Sequence, residues 1–352
     1  MDTENLEEKV GGNTPTLALP LKGGGEIGGV PLKGGGKLYN PDYLHHLASK
    51  YGLAPSKKYG QNYLVDEEVL NKILEVAAVT KDDTIVEVGP GFGVLTFPLA
   101  EKAGRVISFE IEKKLLPYWE EKIAQHKNIE MVWGNVLREF AKPLSNSLLC
   151  EGERDATLAS AEERAGRGLA GRYKVVANLP YQITSAVIRL FLETKNPPES
   201  MTLMVQKEVA ERICAAPGDM SLLSVSVQYY AEPKLEFFVP RESFWPSPRV
   251  DSAVISLKIK TSPNLSSAEE RKRFPRLRRG EGGGEVGFFN LVKAGFANRR
   301  KLLSKNLEPF VGKENKAKLK KIFEGLNFLP TIRAQELSVG EWKALFSKLS
   351  TG

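Results

Sequence analysis

Thr84-Ile85-Val86-Glu87-Val88-Gly89-Pro90-Gly91-Phe92-Gly93 runs from a short stretch of β-formers straight into three glycines spaced two apart. The pattern predicts a buried strand that ends in a tight turn. The helical pattern Val94-Leu95-Thr96-Phe97-Pro98-Leu99-Ala100 follows. The turn therefore opens on a helix N-terminus, where backbone can approach a ligand closely. A glycine turn alone is weak, because tight turns use the same residues without any ligand.

The remaining runs extend the first. Arg105 to Phe109, Ile129 to Trp133, Tyr173 to Ala177 and Met201 to Val205 read as strands alternating with helical patterns, as in a doubly wound α/β sheet. Lys234 to Val239 and Ser252 to Ile259 follow with no room for a helix between them, and read as an antiparallel hairpin closing the sheet. The expectation is a Rossmann-like, seven-stranded, mostly parallel sheet whose hairpin distinguishes a methyltransferase-like sheet from a dinucleotide-binding one.

Glu110 supports a ligand at the glycine turn. It ends the next strand, roughly 20 residues on, where a carboxylate can accept both hydroxyls of a ribose. The third glycine of the G-x-G-x-x-G dinucleotide fingerprint is lacking, so S-adenosylmethionine fits better than NAD.

Composition bounds the rest. The 352 residues, 41% hydrophobic and 26% charged, suit one α/β domain with a small appendage. Cys150 and Cys214 are far apart and form no metal spacing with His45, His46 or His126, which argues against disulfides and a metal site. The N-terminus is acidic where a secretory signal would be basic, and no apolar run approaches the roughly 18 residues of a membrane span. A cytoplasmic location is expected.

Charge is unevenly spread. From Thr261 onward there are 19 Lys and Arg against 9 Asp and Glu, whereas the preceding residues carry 31 against 34. A basic appendage on a near-neutral domain suits a polyanion, although a solvated lysine-rich helical face has the same composition. Within it, Phe289, Val292, Phe296 and Leu303 recur at helical spacing with Arg299, Arg300 and Lys301 among them. A lysine-rich helix over Asn315 to Gly325 and a capping box at Ser338-Val339-Gly340-Glu341 follow.

Three segments read as intrusions. Residues 11 to 37 repeat Pro-Leu-Lys-Gly-Gly-Gly, residues 145 to 171 are rich in Ala, Glu, Arg and Gly, and residues 275 to 286 are rich in Gly and Arg. Loops tolerate such length at little cost, so a surface position is expected for each. The domain plan is then a flexible extension over 1–40, an α/β domain over 41–260, and a basic helical domain suited to a polyanion over 261–352.

Asn178-Leu179-Pro180-Tyr181 directly follows the apolar run Tyr173 to Ala177 and suggests an exocyclic amine held beside a methyl donor. With it, in order, stand Lys58 to Leu64, Gln206 to Arg212, Phe244 to Val254 and Ala294 to Lys301. On these motifs the chain resembles the small-subunit ribosomal RNA adenine N6,N6-dimethyltransferases, whose bacterial member is lost in kasugamycin resistance. The resemblance covers roughly residues 39 to 349 apart from the second and third intrusions.

The resemblance implies cofactor contacts at Asn62, Leu64, Gly89, Glu110, Asn135 and Asn178, with Gly91 in the same turn. It implies RNA contacts at Arg299, Arg300 and Lys301, and a monomer acting on an immature 30S particle. Where the family usually has aspartate to accept from the cofactor's adenine amine, this chain has Asn135, whose carbonyl can still accept. Asn178 and the Leu179 carbonyl are suitable acceptors for the hydrogens of a target adenine amine, and Pro180 fixes the turn. Tyr181 offers a ring face to an extruded base and Phe244 the opposite side. Turn formation for Asn178 to Pro180 and core packing for Tyr181 and Phe244 are the plain structural alternatives. Two other functions compete: a large-subunit RNA methyltransferase of the macrolide-resistance type, and an RNA-binding ribosome-assembly factor with weak or lost catalysis.

Overall fold

In the parallel strands, successive apolar residues serve opposite faces of one sheet, and that alternation divides the core. A computed structural model describes residues 38–53, 62–140, 172–194, 196–260, 287–312 and 315–350. The three intrusions and the Lys58 to Gln61 part of the upstream motif lie outside the described residues. The described elements belong to a compact unit within Gly35–Gly352.

The strands are β1 (Tyr63–Leu64), β2 (Thr84–Val88), β3 (Arg105–Glu110), β4 (Ile129–Trp133), β5 (Lys174–Asn178), β6 (Ser200–Gln206), β7 (Ala231–Val239), β8 (Phe244–Trp245) and β9 (Ser252–Ile259). Seven form one sheet in the order β4-β3-β2-β5-β6-β9-β7. Pairings from β4 through β6 are parallel, and β9 runs antiparallel to both β6 and β7. The expected hairpin is present, with its second strand inserted between β6 and the first.

On one face Ile85, Val106, Val176, Met204 and Val254 join a single cluster. Their neighbours Val86, Ile107, Val175, Ala177, Leu203 and Ile255 join another on the opposite face. Near-continuous apolar runs are what a sheet covered on both sides requires. Each fully buried Val, Leu or Ile contributes roughly 1.5–3 kcal/mol relative to exposure.

The helices before the sheet's reversal are α1 (Pro41–Lys50), α2 (Glu67–Ala77), α3 (Thr96–Lys102), α4 (Leu116–Ile123), α5 (Val136–Glu139) and α6 (Thr184–Leu192). Next come α7 (Lys207–Ile213) and α8 (Leu222–Tyr230). Helix α2 illustrates the local logic. Asp66 caps it by accepting from Glu68 and Val69 N–H, and Val69, Leu70, Ile73, Leu74 and Ala77 bury one stripe.

The C-terminal helices are α9 (Phe288–Gly295), α10 (Leu303–Val311), α11 (Lys316–Gly325) and α12 (Val339–Ser350). They share a cluster with Met220, Val225 and Tyr229 from the α8 region. Gly295 is required there, because a Cβ would stand 2.3 Å from the Trp342 ring. The capping box forms as read, with Glu341 accepting from Ser338 N–H at 2.7 Å and Ser338 Oγ accepting from Glu341 N–H at 3.2 Å. Among the described residues, no helix is long and apolar enough to cross a membrane.

Two short strands escape any periodicity. β1 and β8 pair antiparallel, Tyr63 opposite Trp245 and Leu64 opposite Phe244. This small sheet ties the segment after α1 to the loop before β9.

Candidate active site

Parallel strands end together, so whatever follows β2, β3, β4 and β5 gathers along one edge of the sheet. A cavity opens there, lined by Asn62 and Leu64, by the turn Gly89-Pro90-Gly91, by Glu110, Gly134 and Asn135, and by Asn178, Leu179, Pro180 and Tyr181. Ten of the sequence-derived candidates thus share one cavity. Phe244 is not among its lining residues; it is buried, with Leu64 as its strand partner. Arg299, Arg300 and Lys301 belong to the C-terminal region instead.

Backbone conformation explains the turn. Gly89 and Gly91 have φ of +74° and +55°, in the left-handed region that favours glycine. At Gly91 a Cβ would also stand 2.7 Å from the Tyr63 ring. The turn is locked from behind: the Trp119 indole donates to Gly91 O at 2.9 Å and the Tyr118 hydroxyl to Phe92 O at 2.7 Å.

Glu110 is buried, and its carboxylate organises the loops around it. Oε2 accepts from Gly91 N–H at 3.2 Å, and Oε1 accepts from Ile111 and Glu112 N–H, each at 2.8 Å. Burial raises its proton affinity above the ordinary carboxylate value, against the lowering effect of those three donors. A carboxylate has about four lone-pair sites, so capacity remains for a ligand hydroxyl.

Glu87, one strand away, also lines the cavity. Thr96 and Ser108 hydroxyls donate to its Oε2 at 2.7 and 2.8 Å. Complete burial outweighs them and pushes its pKa up to about 7. In the sequence Glu87 carries one mark only, that of an acid inside an otherwise apolar run. Ile111, exposed beside Glu110, and buried Val136 add apolar walls that the sequence also left unassigned. A buried carboxylate with acceptor capacity, side-chain amides and apolar walls together fit a nucleoside, and so fit S-adenosylmethionine.

Asn135 caps α5, its Oδ1 accepting from Leu137 N–H at 3.0 Å. One of the carbonyl's two lone pairs is therefore committed to the fold. Asn178 shows the complementary arrangement: its Nδ2 donates to the Asn62 carbonyl at 3.2 Å, which orients Oδ1 as the acceptor. The next peptide is held by Leu179 N–H donating to Met204 O at 3.1 Å. Tyr181 is half-buried, and its hydroxyl lies 2.8 Å from Ser252 Oγ.

The helical spacing from Phe289 to Leu303 spans two helices, because α9 stops at Gly295 and α10 starts at Leu303. Arg299, Arg300 and Lys301 occupy the turn between them, all exposed. Asn306 is buried and braces that turn, donating to Gly295 O at 2.6 Å and Asn298 O at 2.9 Å. Among the described residues, no group of three His, Cys, Asp or Glu side chains gathers to hold a metal.

The family model for ribosomal RNA adenine dimethylase matches residues 53–279. The chain is similar to ribosomal RNA small subunit methyltransferase A of Dehalococcoides mccartyi, 40% identical over 295 residues, or 84% of this chain and 88% of the relative. Its similarity to the protein of that name from Alkaliphilus oremlandii is 36% over 316 residues, covering 89% and 98% of the two chains. A dimethyladenosine transferase from Plasmodium falciparum superposes with a TM-score of 0.59 at 22% identity, covering 82% of this chain and 98% of the other, and shows the same fold. The 23S rRNA methyltransferase ErmE likewise shares the fold, with a TM-score of 0.57 at 24% identity over 82% of this chain and 99% of that one. The chain belongs to the ribosomal RNA adenine dimethylase family.

Proposed function

We propose that the protein transfers methyl groups from S-adenosylmethionine to N6 of two adjacent adenines in a hairpin loop near the 3′ end of small-subunit ribosomal RNA, giving N6,N6-dimethyladenosine. The observation that carries the reading is the Asn178 amide. With Nδ2 bonded to Asn62 O, its Oδ1 serves as an acceptor in a cavity that Tyr181 also lines.

An adenine amine is a poor nucleophile because its lone pair is delocalised into the ring. Asn178 Oδ1 and the Leu179 carbonyl accept hydrogen bonds from its N–H groups, help the nitrogen become pyramidal and aim its lone pair; the proton that N6 sheds once methylated passes to solvent. Pro180 holds the turn, and Tyr181 gives the extruded base an aromatic face. Gly89, Gly91 and Glu110 would hold the cofactor's ribose, Asn135 its adenine, and Asn62, Leu64 and Asn178 would complete its site. When bound, S-adenosylmethionine supplies an electrophilic methyl group on a sulfonium that is already a good leaving group. The protein's contribution is positioning.

Arg299, Arg300 and Lys301 neutralise RNA phosphates, and the substrate is an immature 30S particle in the cytoplasm, engaged by a monomer. The curated relatives carry the small-subunit name, whereas the likeness to the large-subunit enzyme extends only to the fold.

Incubation with labelled cofactor and immature 30S particles, followed by mapping of dimethyladenosine, tests the reading. Label in the small-subunit hairpin is expected. Label in large-subunit RNA, or particle binding without label, would overturn it.

A further inference from the structure

We infer that Ser252 is a positioning residue for methyl transfer, fixing the direction of the Tyr181 side chain. The inference rests on the proposed role of Tyr181 as the wall against which the target adenine stacks.

Tyr181 leaves the chain in the turn after β5, and its hydroxyl ends 2.8 Å from Ser252 Oγ on β9. One end of the side chain is therefore anchored in the turn after β5 and the other on β9, with β6 between those two strands. A phenolic oxygen lies on the ring's long axis, so a partner there sets where the axis points and restricts swinging about χ1. The ring is then held in one place without depending on the turn alone, and only rotation about its own axis is left to the packing around it.

Ser252 is well suited to serve as that anchor. It is fully buried at the first position of β9, in register with Gln206 on β6 and Val239 on β7. The preceding residue is tied on both sides: Lys207 N–H donates to Asp251 O at 3.0 Å and Arg241 N–H to Asp251 Oδ1 at 3.1 Å. A hydroxyl held between two strands moves less than one on a loop. Burial keeps the phenol protonated by raising its pKa, the Ser252 contact opposing that shift only in part. The pair is thus neutral and adds no charge beside a base.

A core-filling serine has no need of a partner at the catalytic cavity. Alanine would fill nearly the same volume and would spare a buried hydroxyl its desolvation.

The test is a double-mutant cycle of Ser252→Ala and Tyr181→Phe, with Tyr181→Ala as a third arm, using full-length protein and immature 30S particles. Each single hydroxyl deletion is expected to lower kcat by roughly threefold to tenfold, the effect of a lost neutral hydrogen bond. KM for the particle and calorimetric affinity for S-adenosylhomocysteine should be unchanged. The double variant should be no slower than either single one.

Additive losses, or a parallel loss of S-adenosylhomocysteine affinity in Ser252→Ala, would mean that Ser252 acts through general packing and would overturn the inference. It also fails if Tyr181→Ala slows transfer while both hydroxyl deletions leave kcat intact. If Tyr181→Ala itself transfers normally, the stacking role of Tyr181 has failed, and the positioning role with it.

Discussion

In the proposed function, the strand-end cavity and the cationic turn between α9 and α10 handle one substrate by opposite means. In the cavity, polar groups are wholly or partly buried and held in place: half-buried Asn178 stands opposite Met204 in the β5–β6 ladder, and buried Glu110 accepts three backbone N–H groups. On the turn the three cations are exposed, and only the backbone beneath them is braced, by Asn306. Buried groups act through geometry, so small displacements are costly. Exposed cations act through counterion release, which is tolerant of geometry and sensitive to salt.

The sharpest way to break this contrast is Asn178→Ala. Removal of a positioned acceptor should reduce methyl transfer on the order of 100-fold or more, the scale seen when one stabilising group is lost from a preorganised site. Labelled transfer to immature 30S particles measures it, and full activity would refute the orienting role.

Glu110→Gln should come next. The substituted amide keeps one acceptor and turns the other oxygen into a donor facing backbone donors. S-adenosylhomocysteine binding measured by calorimetry should weaken by about tenfold or more, as expected for loss of a charged hydrogen-bonding group. Wild-type affinity would place the ribose elsewhere.

On the cationic side, alanine at Arg299, Arg300 and Lys301 together should leave S-adenosylhomocysteine affinity intact. Affinity for small-subunit RNA should fall, and the slope of log affinity against log salt should shrink by roughly 2 to 3, at about 0.7 to 0.9 per lost phosphate contact. An unchanged salt slope would remove the turn from the RNA interface.

Glu87 separates the regions by pH. Its folded pKa, about 7, lies above the unfolded value of 4.5, so the protonated form is favoured on folding. Its stabilising contribution is full below about 4.5 and is lost as pH rises towards 7. Thermal melts across that range should show Glu87→Gln gaining stability relative to wild type with increasing pH. A difference independent of pH would mean that Glu87 ionises normally.

The cavity was largely legible because its parts are one-dimensional signals. A strand buried on both faces must be an apolar run, a turn with positive φ favours glycine, and an acid closing the strand that follows a glycine turn stands where a ribose-binding carboxylate is expected. Pairings between distant segments left no such mark. β1 and β8 are two residues each, too short for a period, yet their contact buries Phe244 opposite Leu64. An aromatic beside a site and an aromatic beneath it look alike in sequence. Helical spacing likewise persisted across the break from Phe296 to Leu302, because both helices bury one face in the same cluster. Ser252 falls within the Phe244 to Val254 motif, but its hydroxyl acquires meaning only once β9 lies between β6 and β7.

Asn135→Asp should have the smallest effect and bears on how much of the cavity's chemistry is charge. Asn135 already caps α5 through Oδ1, and aspartate caps equally well, so the fold should be unaffected. The change restores a carboxylate near the position proposed for the cofactor's adenine amine. An ionised acceptor makes a stronger hydrogen bond than an amide carbonyl, but Glu87 and Glu110 line the same cavity and resist a further negative charge. The expected outcome is a gain of a fewfold in calorimetric affinity for S-adenosylhomocysteine, with kcat on 30S particles little changed. A loss of affinity would mean that the buried acids already hold as much negative charge as the cavity accepts, and that the asparagine amide donates to the adenine ring.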